Sequence, residues 1–429
     1  MSEALLNTLA PAPAPQLPSY GAEDRRAAFE RFHALGLPGR RDEDWRFSVI
    51  PRLLKERLSA QQEAPTAQAA EEAAGAPLFE ASEALTITLS GEGSAEAFQR
   101  ARAAAPAGLA IFSLAHDQLP DALESRLSSA QDETLPFVAL NSACFDEGVA
   151  LSITEKIEQP IVLEHWRGRE KESAHRRVLL SLGEGAEATV IERFQSAGEG
   201  FSNLRTLVEL APKAKLTYIR LQEEDEAALH LARFDARVAE EALLTATLLD
   251  LGGCAARIEQ ELQLTGSGAQ VDLSGLYAGR DTQQLEQQLL IDHQAPGCES
   301  GQRFRGILAA ESRGIFRGRV RVAPGASKSV AHQHNPNLLL GLKARAVTLP
   351  QLEIHNDDVQ CSHGATVGRL DEDALFYLRA RGIDEEAARG LLTEAFAAEV
   401  LAPLPKQVGA RAQSAISRVL EAAAEERRQ

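Results

Sequence analysis

Apolar positions change their period twice along this chain of 429 residues. Near the start, Phe29, Phe32 and Leu35 recur at helical spacing. Gly36 suits the position just past a helix end and Pro38 blocks continuation, so a helix is predicted over Ala22–Leu35. A charged stretch with an aromatic of exposed type, GRRDEDWRF at Gly39–Phe47, follows. Ala60–Ala76 then collapses to mostly Ala, Gln, Glu and Pro, which cannot bury much apolar surface and predicts a mobile linker. Leu85–Leu89 and Leu109–Phe112 read as strands around a helical segment at Ala95–Ala104, a small α/β preface.

From about Leu135 the period shortens to that of strands, and a longer repeat lies on top of it. Six turn-like pairs fall at Gly185-Ala186, Lys213-Ala214, Glu241-Ala242, Gly268-Ala269, Gly297-Cys298 and Gly325-Ala326, their second residues 28, 28, 27, 29 and 28 positions apart. Each is preceded by a strand-like run, such as Val178–Leu182, Phe234–Val238 or Ile315–Val322, and followed by another. A near-constant period of this size marks a solenoid, and short strands with two turns per coil make it a β-solenoid rather than a helical repeat. A meandering β-sandwich could use the same strands but has no reason to keep the period. The ends of a solenoid are open strands that must be capped or paired.

From Leu370 the pattern turns helical to the end. Asp371 opens one helix and Gly382 closes it; Asp384 caps a second with Glu385 and Glu386 in its first turn. Ala388, Leu391, Leu392, Ala395, Phe396 and Val400 make its apolar stripe, and Ile416, Val419, Leu420 and Ala423 mark a third helix. Packing on the solenoid end is the simple account of these stripes. The chain therefore divides into an N-terminal region at 1–134, a β-helix core at 135–369 and a C-terminal helical domain at 370–429.

Charge narrows the partners. A net charge of −17 argues against nucleic acid and anionic membrane, which need a cationic footprint. No window is long and apolar enough to span a bilayer, and the N-terminal residues lack the basic and apolar regions of a secretory signal. Cys144, Cys254, Cys298 and Cys361 are widely spaced with no CxxC, which fits small apolar niches in a reduced, cytoplasmic protein. No P-loop, dinucleotide fingerprint, hydrolase elbow or zincin motif occurs. Arg303, Arg305, Arg313, Arg317, Arg319 and Arg321 alternate as if lining one exposed sheet face, either salt-bridged or a docking surface.

Candidate chemistry concentrates in Leu352–Leu370, LEIHNDDVQCSHGATVGRL. Cys361 and His363 stand two apart, so in a strand both could approach one metal, and thiolate with imidazole suits zinc, copper or iron. Asp357-Asp358 could hold a metal or position His355, or mark a polar turn. His332-Gln333-His334 is a second spaced histidine pair, more simply surface histidines beside a turn at Asn335-Pro336-Asn337.

These residues carry a resemblance. FRGIL (Phe304–Leu308), NLLL (Asn337–Leu340), PQLEI (Pro350–Ile354), DDVQCSHGATVGRLDED (Asp357–Asp373) and LFYLRARGI (Leu375–Ile383) resemble the SufB/SufD family of iron–sulfur cluster assembly scaffolds. LPGRRDEDWRF (Leu37–Phe47) is similar to that family's tryptophan-containing segment. The CSHGAT form is that of the SufD branch; SufB-like chains carry EHEAT and a cysteine where Leu378 stands. The resemblance implies a right-handed parallel β-helix between N- and C-terminal helical regions, in a non-catalytic scaffold that pairs with SufB. It implies recruitment of the SufC ATPase through the C-terminal helices, with Leu391, Leu392 and Phe396 as docking candidates. The nascent iron–sulfur cluster, or iron, would be held transiently at the SufB–SufD interface. His355, Asp357, Asp358, Cys361 and His363 would form this chain's side, with Cys361 and His363 as metal ligands, and in isolation the chain could pair with a second copy. Departures are His355 and Gln360, where the family often has tyrosine and lysine, and the His332/His334 pair. A purely structural partner with no ligand role is the alternative. A lone β-helix enzyme acting on polysaccharide would need a groove of acids and, usually, a secretion signal.

Overall fold

Strand follows strand at the predicted period, each lying against the strand one coil away. The computed structural model describes residues 17–59, 77–90, 94–128, 135–168 and 172–428; the linker expected at Ala60–Ala76 lies outside them. Among the described residues the strands make two nine-stranded sheets. One runs β1 (Leu85–Leu89), β4 (Ile161–Arg167), β6 (Glu187–Ser196), β8 (Lys215–Gln222), β10 (Leu243–Asp250), β12 (Gln270–Gly279), β14 (Glu299–Leu308), β16 (Ser329–Leu339) and β18 (Val359–Gly368). The other runs β2 (Leu109–Ser113), β3 (Glu147–Ile153), β5 (Glu172–Leu182), β7 (Gly200–Leu210), β9 (Ala228–Val238), β11 (Ala255–Leu264), β13 (Gln284–His293), β15 (Arg313–Val322) and β17 (Arg345–Ile354). All pairings are parallel except β2 with β3, so the chain is mainly a parallel β-solenoid. The two strands of the preface are its first rungs: β1 pairs with β4 and β2 closes the other sheet.

The repeat comes from the corners. Gly185, Lys213, Glu241, Gly268 and Gly297 take left-handed φ values of 68°, 61°, 54°, 68° and 67°. The small residue after each, Ala186, Ala214, Ala242, Ala269 or Cys298, is fully buried. The left-handed residue turns its N–H along the solenoid: Gly185 reaches the Pro212 carbonyl at 3.0 Å, Lys213 that of Glu240 at 2.8 Å and Gly268 that of Pro296 at 3.0 Å. Each corner thus bonds the next coil, and any side chain larger than Ala or Cys at the inner position would meet the packed lumen. At the sixth corner the left-handed residue is Lys328, at 59°, whose N–H reaches Asp358. Between corners the inward leucines, isoleucines and phenylalanines stack coil on coil into the main core. Each such side chain stabilises the fold by roughly 1.5–3 kcal/mol.

Helices cover the flanks of the solenoid. α1 (Ala22–Leu35), α2 (Ile50–Ser59) and, after α3 (Ser94–Ala104) and α4 (Asp121–Ser128), α5 (Pro136–Cys144) cover the β2–β17 sheet through Phe32, Leu54 and Phe137 against Phe201, Leu229 and Leu231. α6 (Glu372–Ala380), α7 (Glu385–Leu401) and α8 (Lys406–Arg428) follow β18, with Asp371 and Asp384 capping the first two as predicted. Val400 of α7 and Val408, Ile416 and Val419 of α8 lie on Ile219, Leu249, Leu276 and Ile307, the outward apolar residues of the other sheet. The stripes therefore pack along the flank rather than on the end expected for them, because alternate outward positions of β8 to β14 are themselves apolar.

Three further expectations are corrected. Trp45 is buried, not exposed: the Arg257 guanidinium lies 3.9 Å from its ring centre and donates to the Asp44 carbonyl at 3.0 Å. The arginines do not share one face, since the turn after Leu308 carries the chain from one sheet to the other. Arg303 and Arg305 pair with Glu399 of α7, Arg317 is buried against Glu43 and Asp44, and Arg321 pairs with Asp292. Asn335-Pro336-Asn337 is not a turn but the middle of β16, where both asparagines are buried. Proline has no N–H for the ladder, and the β14–β16 register breaks there between His334 and Asn337.

Candidate functional site

β17 and β18 form the last coil, and each is the terminal strand of its sheet. β14 and β16 bury alternate residues, whereas β18 buries none and the middle of β17 is only half-buried. Among the described residues no further strand covers the outer edges of either, so their N–H and C=O groups face outward.

Cys361 and His363 lie on β18, in register with Ala331 and Gln333 of β16, both buried toward the lumen. In the interior of the solenoid their positions would be covered by a further coil; here Cys361 is half-buried and His363 exposed. Cys361 packs with Ala331, Leu352 and Val359, and this burial pushes its thiol pKa up, so the resting group is a thiol. Asp357 and Asp358 occupy the turn joining β17 to β18, as the polar-turn reading had it. Both are exposed, and Asp358 donates its N–H to Asn356 Oδ1 at 2.9 Å, while its carbonyl accepts from Lys328 N at 2.6 Å. His355, just past β17, lies 3.0 Å from Glu353 Oε1, and that contact holds the Glu353 carboxyl below its usual range. His332 Nδ1 is 2.7 Å from Ser362 Oγ, and His332 and His334 are exposed. The fold thus brings Cys361 and His363 onto one open strand with the acids at its turn. Among the described residues no group of three or more His, Cys, Asp or Glu side chains is placed to hold a metal ion.

Behind the strand lies a layer that the residue pattern alone did not single out. Asn335 donates to Tyr277 Oη at 3.0 Å and to the Phe304 carbonyl at 3.1 Å; Asn337 donates to Asn335 Oδ1 at 3.0 Å and to the Thr366 carbonyl of β18 at 3.3 Å. Gln333 bonds Gln302 one coil back. Gly306, inside FRGIL, makes room: a Cβ there would overlap Asn337 Oδ1 and the Tyr277 ring. The signal was present as polar residues at inward positions of the repeat, but it emerges only once the strand register is known. Of the docking candidates on α7, Leu391 is exposed, while Leu392 and Phe396 pack inward, Phe396 beneath Arg305 at 5.0 Å. The large exposed apolar surface of these helices is instead on α6, at Phe376 (73 %) and Tyr377 (57 %).

The chain is similar to known proteins. The family model described as SUF system FeS cluster assembly, SufBD core domain, matches residues 165–396. The iron–sulfur cluster assembly protein SufD of Escherichia coli K12 is 35% identical over 288 residues, 66% of this chain and 66% of that one. A SufBD family protein of Mycobacterium tuberculosis H37Rv is 30% identical over 294 residues, 66% of this chain and 73% of its own length. The chloroplastic protein ABCI7 of Arabidopsis thaliana is 32% identical over 307 residues, 67% of this chain and 64% of its own. The match spans just under two thirds of the Escherichia coli protein.

Proposed function

The chain belongs to the SufBD family of SUF-system iron–sulfur cluster assembly proteins, and on that premise we propose that it is a SufD-like scaffold subunit whose open last coil docks on SufB. The observation that carries this reading is the uncovered pair of terminal strands bearing Cys361 and His363. Two ligand-capable side chains on an unpaired edge are half of a site, and a second β-helix added edge to edge would supply both the missing backbone partners and the missing ligands. The cargo is iron or a nascent cluster, held transiently between the two chains, and the subunit itself catalyses nothing.

The residues divide the work by their chemistry. The exposed His363 imidazole offers a ring nitrogen to iron directly. Cys361 is a softer ligand but rests as a thiol under partial burial, so ligation releases its proton, and a shift of the coil that exposes it would favour this. Recruitment of a SufC ATPase to the C-terminal helices, where Phe376 and Tyr377 join Leu391 as exposed apolar groups, would supply that shift. Four free thiols and the absence, among the described residues, of a helix fit to cross a membrane are compatible with a cytoplasmic place of work.

Co-expression with SufB and SufC chains, followed by pull-down, tests the assembly. His363→Ala should leave the complex intact and reduce cluster formation at least tenfold. Intact clusters at the normal rate in the double Cys361→Ala, His363→Ala complex would instead make this chain a structural partner only.

A further inference from the structure

A cavity of about 570 Å³ opens on the opposite flank, between the Pro38–Pro51 segment, α2 and β15. Its size is that of a small-molecule site. Its lining is unusual for a chain of net charge −17: Arg40, Arg46, Arg52, Lys55 and Arg313 face it, and among the described residues no carboxylate side chain does. Arg52 is paired with Glu56 at 2.9 Å. The other four have no ion-pair partner among the described residues.

Arg313 is the informative one. Its guanidinium lies 5.4 Å from the Phe47 ring centre, its Nε is buried without a hydrogen-bond partner, and Arg345 of the next coil adds a like charge. Among the described residues the acid that acts on it, Glu286, is already held by Arg257 at 2.9 Å and by Gln284 at 2.6 Å. A half-buried cation kept beside other cations is unfavourable unless an anion joins them. Solvated surface cations would explain Arg40 and Lys55. Arg305 and Arg317 also leave a buried Nε unpartnered, but they hold carboxylates through their other nitrogens, whereas Arg313 has no ion-pair partner among the described residues.

Apart from Gly39 and Ser48, the rest of the wall is apolar. Pro38, Val49 and Pro51 line it, with Phe47 carrying Arg46 at 5.7 Å on its ring. Guanidinium and phenyl planes accept a flat ring system as well as an anion. The segment is fixed in place from the solenoid: Gln284 donates to the Phe47 carbonyl at 2.9 Å and Arg317 to that of Glu43 at 2.9 Å. The site is therefore preformed rather than a feature of a loose loop.

We propose that this cavity binds a phosphorylated small molecule with a planar ring, of nucleotide class, its phosphates on Arg40, Lys55 and Arg313 and its ring against Phe47 and the flanking prolines. The site is remote in sequence from Cys361 and His363, and its test does not depend on cluster assembly.

Calorimetric titration of the full chain alone with ADP, adenosine and pyrophosphate is the experiment. ADP should bind at least tenfold more tightly than adenosine and more tightly than pyrophosphate, with affinity falling as salt rises. Arg40→Gln and Lys55→Gln, both exposed positions that leave the fold intact, should each weaken ADP several-fold, and Arg313→Gln tenfold or more. Lys343→Gln, on a distant exposed ion pair, should change nothing. Absence of ADP binding at millimolar concentration, equal affinity for ADP and adenosine, or equal affinity for ADP and pyrophosphate would overturn the proposal. So would a glutamate-rich peptide binding at these arginines when ADP does not.

Discussion

Single side chains inside the solenoid are held in defined protonation states by their partners. Arg220 donates to Asp250 Oδ1 at 2.5 Å and to Nε2 of His230. A guanidinium can only donate, so His230 Nε2 must accept and its proton sits on Nδ1, facing Glu224 at 2.5 Å. His230 is thus neutral, as burial dictates, and Glu224 is the ionised partner. Burial alone would raise Glu224, but the N–H of His230, the Ser202 hydroxyl and the nearby Arg167 charge hold its carboxyl below the usual range. His293, 2.8 Å from Ser300 Oγ, shows the same effect in a form that can be measured. Burial pushes its pKa from 6.5 down to about 4, against the pull of Asp292. Between those values the unfolded chain binds a proton that the folded chain refuses, so stability falls as the pH drops through this window. His293→Gln should therefore lose about 2 kcal/mol less than the parent protein between pH 7 and pH 5 in urea unfolding. Identical pH slopes would show that His293 titrates as freely folded as unfolded.

At the scale of elements, corners and strands respond to substitution for different reasons, and glycines separate them. Gly185 has φ of 68° and open space where an alanine methyl group would stand, so Gly185→Ala should cost only the backbone strain, about 1 kcal/mol. Gly306 has an ordinary strand conformation but no room beside Asn337 and Tyr277, so Gly306→Ala should cost roughly 2–3 kcal/mol by disrupting a buried polar cluster. Equal losses in denaturant unfolding would sink this distinction. The corners were legible in the sequence because a left-handed residue followed by a small buried one is a local requirement, repeated each coil. What lies between distant coils was not legible. Trp45 looks exposed among charges until Arg257, more than two hundred positions away, is known to cover it. The arginine series reads as one face because four turn residues, from Ala309 to Ser312, conceal a change of sheet. Asn335-Pro336-Asn337 has turn composition, and only its burial against Tyr277 explains why it is a strand. The two-apart spacing of Cys361 and His363 was legible, and the resemblance made them ligand candidates, yet the half-buried state of the thiol needed the coil in place.

Among the described residues the molecule is a solenoid covered on two flanks by helices and left bare at one end. That asymmetry follows from where the outward apolar residues lie: β8 to β14 offer them to α7 and α8, and β17 and β18 do not. Ile354 and Val367 remain 40% and 47% exposed on the last coil, although β-branched apolar residues on an uncovered edge favour association with another strand. Docking of SufB there, or of a second copy of this chain when SufB is absent, would bury both. Because neither residue contributes to the existing core, the double variant Ile354→Asp, Val367→Asp should change folding stability by less than about 0.5 kcal/mol. The same carboxylates, buried without partners in a docked interface, should weaken pairing by two orders of magnitude or more. Sedimentation velocity of the chain with and without SufB reads the pairing, and thermal melts read the fold. A variant that melts like the parent but no longer pairs would place the interface on the last coil. A variant that still pairs normally would move the interface elsewhere and remove the reason for reading Cys361 and His363 as half of a shared site.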